Sequence, residues 1–159
     1  MPACPNCDAN DAADQGNDPW AVARLETGYV KLSPTQYFRG ATFFVAKACV
    51  RELHELSRPA RKSHLMEMSE VAAAVFTAFA PEKLNYEALG NSVPHLHWWL
   101  TPRQANDARP TAPIWEDMDF LRALWTGEMR PDDSERHHVQ RSLLAALRQQ
   151  AVTIEETLV

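Results

Sequence analysis

The hydrophobic pattern of the chain alternates between runs of strand character and two stretches of helical periodicity. Residues 20–26 (WAVARLE) and 28–33 (GYVKLS) are short β-prone runs around Thr27-Gly28, which predicts a hairpin. Residues 41–47 (ATFFVAK) are rich in β-formers and apolar throughout, as a central strand buried on both faces would be. A short helix is expected over residues 50–57 (VRELHELS), with Ser57 and Pro59 marking its end or a new start. From 61 to 80 the apolar residues Leu65, Met68, Val71, Ala72, Val75, Phe76 and Phe79 recur every three or four positions, the stripe of an amphipathic helix that Pro81 closes.

Two further strands are predicted at 83–89 (KLNYEAL) and 94–101 (PHLHWWLT), joined by a Gly-Asn turn. After an irregular, proline-bearing connection at 104–113, helices are expected at 117–125 and 134–150, with Asp132, Asp133 and Ser134 as candidate caps of the second. Residues 8–18 are polar and aperiodic and read as a loop. Strands, helix, strands, helix in that order predict an α+β domain on a mainly antiparallel sheet.

Composition narrows the choice of function. The chain has 159 residues, 45% hydrophobic and 23% charged, enough for one well-cored domain. A net charge of -5 with scattered Lys and Arg argues against nucleic acid as the main partner, and so against a small zinc module that binds it. No apolar run approaches the roughly 20 residues of a membrane span, and the polar N-terminal stretch is unlike a signal peptide, so a cytoplasmic protein is expected. The three cysteines, two of them spaced C-x-x-C at Cys4 and Cys7, suit a reducing compartment. Taken alone, that spacing leaves metal binding, redox chemistry and neither open.

The strand at 94–101 concentrates the candidate chemistry. Alternation puts His95, His97, Trp99 and Thr101 on one face and Leu96, Trp98 and Leu100 on the other. Two histidines about 7 Å apart on one strand face can ligate a metal, supply a nucleophile, or simply be half-buried. His54, His64, His137 and His138 lie on expected helices without an i+4 metal-ligating partner and read as surface or hydrogen-bonded helix residues.

The segment NYEALGNSVPHLHWWLTPR, residues 85–103, resembles the signature of the histidine triad (HIT) superfamily, His-φ-His-φ-His-φ-φ with φ apolar. FRGATFFVAKACVRELHELS, residues 38–57, is similar to the family's glycine turn, central strand and first helix. The resemblance covers roughly residues 4–103 and implies a HIT-like domain over 1–103, with 104–159 as a C-terminal extension packed on it. It further implies a homodimer that hydrolyses nucleotides or transfers nucleotidyl groups, with dinucleoside polyphosphates, as in diadenosine polyphosphate hydrolases, phosphoramidates or nucleotide sugars as substrates.

In the family the middle histidine attacks the α-phosphate, and here that position is His97. An imidazole is a competent nucleophile near neutral pH, and a covalent intermediate splits one barrier into two. The resemblance places phosphate contacts at Asn91 and Ser92. Trp99 stands at the third triad position, where it would fill part of the phosphate pocket or stack on a base; the uridylyltransferase-like branch also lacks this histidine. Ser33 stands where the family carries a ribose-binding Asn. A catalytically weak or inactive nucleotide-binding or sensor protein on the same fold is the alternative these two departures suggest.

Some members bind zinc through an N-terminal C-x-x-C, a histidine after the central strand and the first triad histidine. Cys49 occupies the second of these places, so the resemblance implies a structural zinc held by Cys4, Cys7, Cys49 and His95, a closed Cys3His set. Trp115 and Trp125 are candidates for packing at an interface.

Overall fold

The computed structural model describes residues 4–159. The chain runs α1 (Pro5–Asp14), β1 (Ala21–Leu25), β2 (Gly28–Leu32), β3 (Thr42–Ala46), α2 (Arg58–Phe79), β4 (Lys83–Glu87), β5 (His97–Arg103), α3 (Met118–Thr126), α4 (Asp133–Leu147) and β6 (Ile154–Thr157). The strands form one six-stranded sheet in the order β4-β5-β3-β2-β1-β6, every pairing antiparallel. This is the α+β antiparallel architecture expected from the order of elements. The uniformly apolar β3 lies inside the sheet, between β5 and β2, with Phe43 opposite Trp99 and Val45 opposite His97.

α2 and α4 cover one face. Val71, Ala72 and Val75 of α2 and Leu143, Leu144 and Leu147 of α4 pack on Val30, Leu32, Phe44, Trp98 and Leu100 of the sheet. Removing this much apolar surface from water is the main force holding the layers together. Ser57 caps α2 with its hydroxyl accepting from the Ala60 N–H, and Pro59 sits in the first turn, where a missing N–H costs nothing. Ala80 ends the helix in a left-handed conformation just before Pro81. The Glu67 carboxylate reaches from α2 to the β1–β2 turn and accepts from the Glu26 and Thr27 N–H groups at 2.9 and 2.8 Å, so the hairpin is locked to the helix. Gly40 has φ +86°, and a Cβ there would overlap the Phe79 ring, which explains a glycine in the turn entering β3.

The opposite face carries α1 and, around α3, a second apolar cluster of Phe38, Ala41, Ile114 and Phe120. No helix among the described residues is long and apolar enough to cross a membrane.

Four local expectations need correction. Residues 5–14 are helical rather than a loop: Pro5 starts α1, and the helix docks through Ala13, buried beside Ala21 and Tyr29, and through Asn10, buried and bonded to the Ala46 carbonyl. The helix expected at 50–57 is a single 3-10 turn, Leu53–Glu55, opened by a capping box of Glu52 and Glu55 and ended where Leu56 turns extended ahead of Ser57, the cap of α2. The strand expected from 94 begins at His97, since Pro94 and the bends before it keep His95 out of the ladder. β6 was not expected; it pairs with β1 through Arg24, whose guanidinium meets Glu155 at 3.3 Å and Glu156 at 3.0 Å.

Candidate functional site

Four donors converge where α1, the end of β3 and the start of β5 meet. Cys4 is the N-cap of α1, Cys7 lies in its first turn, Cys49 follows β3, and His95 precedes β5. Their ligand atoms all lie within 4.8 Å of one another. His95 Nδ1 is 3.3 Å from Cys4 Sγ and 3.7 Å from Cys7 Sγ. Tetrahedral zinc, with Zn–S near 2.3 Å and Zn–N near 2.0–2.1 Å, sets its ligands about 3.5–3.8 Å apart, so the donor set fits that ion in chemistry and spacing. The four residues expected as ligands are therefore brought together.

The surroundings orient the imidazole. His95 Nε2 lies 2.8 Å from the Ala46 carbonyl, which assigns the proton to Nε2 and leaves the Nδ1 lone pair facing the thiols. Asn10 donates to the same carbonyl at 3.2 Å. Burial lowers the pKa of His95, as it must for a ring only 1% exposed, and so favours the neutral, ligating form. The Cys7 backbone N–H lowers the Cys4 thiol, whereas burial, reinforced by the neighbouring sulfurs, pushes Cys7 up to about 12. A dication among the sulfurs would reverse the second shift.

His97 is the first residue of β5. Its Nδ1 lies 2.7 Å from the backbone oxygen of His95. Nδ1 is thus the protonated nitrogen, and Nε2 carries the free lone pair. The edge of its ring meets Phe43 with centroids 6.2 Å apart. His97 lines two clefts at once. One, about 520 Å³, is bordered by Arg51, Glu52, Glu55, Leu89 and Asn91. The other, about 510 Å³, is walled by Ala9, Trp20, Leu32, Phe43 and Val45, and a buried ion pair, Lys31–Asp18 at 2.9 Å, forms part of its lining.

The remaining expected site residues are distributed unevenly. Asn91 lines the first cleft, and the exposed Ser92 adjoins it in a bend following Gly90, whose φ is +62°. Trp99 shares the His97 face but lines neither cleft. Its ring packs on Phe43 at 5.2 Å and on Phe120 of α3 at 5.7 Å, and its Nε1 is buried without a partner. Ser33 is buried at the end of β2 with an unpartnered hydroxyl, and it too lines neither cleft. Trp115 and Trp125 are exposed.

Sequence reasoning missed the walls of the apolar cleft, Trp20, Phe43 and Val45. The alternation of Phe43 and Val45 along β3 was the available signal. It also missed the role of His64, which is fully buried. His64 stacks on Phe44 at 4.8 Å, accepts from the Trp98 indole N–H at 3.2 Å, and faces the Thr27 hydroxyl at 3.1 Å, which in turn donates to Glu67. Burial pushes its pKa down to about 4.

Known proteins share this fold. Residues 38–106 match the HIT domain family. Among solved structures, a histidine triad protein from Marinobacter aquaeolei superposes with a TM-score of 0.66 at 22% identity, over 83% of this chain and 92% of that one. A hypothetical histidine triad nucleotide-binding protein from Sulfolobus tokodaii gives a TM-score of 0.67 at 13% identity, over 90% and 93% of the two chains. A zinc-bound histidine triad family protein from Mycobacterium smegmatis gives 0.64 at 19% identity, over 92% and 94%. No curated protein matches the chain. The chain thus matches the HIT domain family over residues 38–106 and shares its fold with histidine triad proteins.

Proposed function

We propose that the protein binds a nucleotide conjugate and cleaves it at the α-phosphate, as a hydrolase or nucleotidyl transferase with His97 as nucleophile. The observation that carries this reading is the 2.7 Å contact between His97 Nδ1 and the His95 carbonyl. That contact commits one ring nitrogen to a proton, supports the positive charge that develops on attack, and leaves Nε2 free to bond to phosphorus. In the first step the Nε2–P bond forms and the bond to the leaving group breaks. In the second, water or another acceptor attacks phosphorus and His97 is released.

The two clefts that meet at His97 match the two halves of such a substrate. The apolar cleft, with Trp20 and Phe43, suits a nucleobase. The polar one, with Arg51 and Asn91, suits phosphates and the leaving group. Donors at Asn91, Ser92 and their backbone would meet the charge on the phosphoryl oxygens. Ser33 remains a candidate ribose contact only if the β2 end shifts to open its hydroxyl. The nucleotide-binding and zinc-bound histidine triad proteins of like fold support both parts of the reading.

Zinc at Cys4, Cys7, Cys49 and His95 would act structurally, closing its coordination sphere with protein ligands. His95 then serves twice, with its ring toward the thiols and its carbonyl holding His97. We take the working form to be a cytoplasmic homodimer acting on small nucleotides rather than nucleic acid, with residues 104–159 as an extension of the HIT-like domain. Light scattering tests the dimer, and a salt-dependent binding assay with DNA or RNA tests the exclusion of nucleic acid.

Incubation with diadenosine tetraphosphate and with an adenosine phosphoramidate, following AMP release, tests the activity. Turnover that is lost in His97→Ala supports it. A second reading, a nucleotide sensor without turnover, is favoured by Trp99, which puts a non-titrating, packed indole at the third triad position. Nucleotide binding with no AMP from either substrate supports that alternative.

A further inference from the structure

Three of the four donors in the metal cluster are sulfurs, and one of them is at the surface: Cys49 is exposed, while Cys4 and Cys7 are partly covered and His95 is buried. All the donor atoms lie within 4.8 Å of one another, so each sulfur has two others within reach of a small side-chain rotation. The C-x-x-C opens a helix, with Cys4 as N-cap and Cys7 in the first turn, an arrangement that leaves both sulfurs at the helix end rather than in its body. A histidine at position 49 would make a site that oxidation enters only through the two cysteines of α1; a cysteine there places an oxidisable donor on the outside.

We propose that Cys49 is an oxidative modification site, and that its reaction with hydrogen peroxide couples the redox state of the surroundings to occupancy of the metal cluster. The inference rests on the zinc reading above and goes beyond it. The Cys49 thiolate attacks the peroxide: an S–O bond forms, the O–O bond breaks, and one water leaves after protonation. The sulfur of Cys4 or Cys7 then attacks the sulfenic sulfur of Cys49. An S–S bond forms, the S–O bond breaks, and a second water leaves. Over both steps two thiolates are oxidised by one electron each, and one peroxide, with two protons, is reduced to two waters. Two of four ligands are then lost, and the remaining pair holds zinc poorly. The disulfide keeps the end of α1 tied to the segment after β3, while the His95 ring loses the metal that held it, immediately beside His97.

The test uses the zinc-loaded full chain, treated with increasing hydrogen peroxide. Released zinc is followed with a chromophoric chelator, and the oxidised cysteines are identified by peptide mass. The expected result is one zinc released per disulfide, with Cys49 joined to Cys4 or Cys7, and reversal by dithiothreitol plus zinc. Cys49→His, which keeps four donors, should release zinc at least tenfold more slowly. Zinc that stays bound while Cys49 oxidises, or a disulfide that joins only Cys4 to Cys7, overturns the proposal. So does equal release from Cys49→His. Absence of stoichiometric zinc in untreated, zinc-supplemented protein overturns the metal reading itself, and the switch with it.

Discussion

His97 Nδ1 lies 2.7 Å from the backbone oxygen of His95, and the ring of that same His95 points its own Nδ1 at Cys4 and Cys7. One residue therefore joins the metal cluster to the candidate nucleophile. In the proposed reading the two histidines divide the work: the first offers its ring to a metal and its backbone to its neighbour, and the second keeps a bare nitrogen for chemistry.

The first prediction concerns metal. Purified protein should carry about one zinc per chain, and Cys7→Ser should lose at least tenfold in zinc affinity, because a three-ligand remnant binds far less well. Elemental analysis checks the stoichiometry, and a competing chelator the affinity. Zinc removal should also lower the thermal midpoint, since binding to the native state alone stabilises it. An unchanged midpoint would mean that the cluster holds nothing of structural weight.

Trp99 should behave as a packing residue. Trp99→Ala removes the indole from between Phe43 and Phe120 and should cost about 2–3 kcal/mol in denaturant unfolding, toward the low side for a large-to-small change because the residue is partly exposed. Nucleotide affinity measured by calorimetry should change less than threefold. A large loss of affinity with stability intact would move Trp99 into the binding site.

His64 gives the fold an acid-sensitive point. Its native pKa of about 4 lies below the ordinary histidine value, so between pH 6.5 and 4 the unfolded chain takes up a proton that the native state refuses. Stability is fully present above pH 6.5 and falls as the pH drops toward 4, by up to about 3 kcal/mol. Urea unfolding at pH 7.0, 6.0 and 5.0 should show this slope in the natural protein, and His64→Gln should flatten it. Parallel slopes in the two proteins would assign the acid sensitivity to other groups.

Arg103 should hold the segment after β5. It is 3% exposed, pairs with Asp107 at 2.9 Å, and donates to the carbonyls of Ala112 and Arg109 at 2.8 and 2.6 Å. Arg103→Met should cost about 3 kcal/mol by removing the ion pair to Asp107 and the donor of two carbonyls. Limited proteolysis should then cut first between residues 104 and 116, and a cleavage pattern like that of the natural protein would contradict this role.

Much of the architecture was legible because long periodic segments carry their own evidence. The α2 stripe, the apolar β3 and the β1–β2 hairpin needed no tertiary information, and the order of elements gave the antiparallel sheet. α1 was hidden because polar residues dominate its composition and the only residues it buries are Asn10 and Ala13. β6 was hidden because a short, charged edge strand reads as tail until Arg24 is seen across from it. In the site, residue types at family positions pointed to the four metal donors and His97. The apolar cleft was not legible, since its walls come from α1, β2 and β3 together and no local pattern reports that meeting. Trp99 was legible as a departure but not as a packing residue, because Phe120 lies outside the stretch that resembled anything.

The most direct test of the account is the covalent intermediate. The protein is mixed with diadenosine tetraphosphate, quenched after milliseconds to seconds at alkaline pH, where phosphohistidine-type bonds survive, and examined by intact and peptide mass. The account predicts an added AMP on the peptide carrying His97, absent in His97→Ala and retained in Trp99→Phe. AMP release without any adduct, or an adduct on another residue, would contradict it.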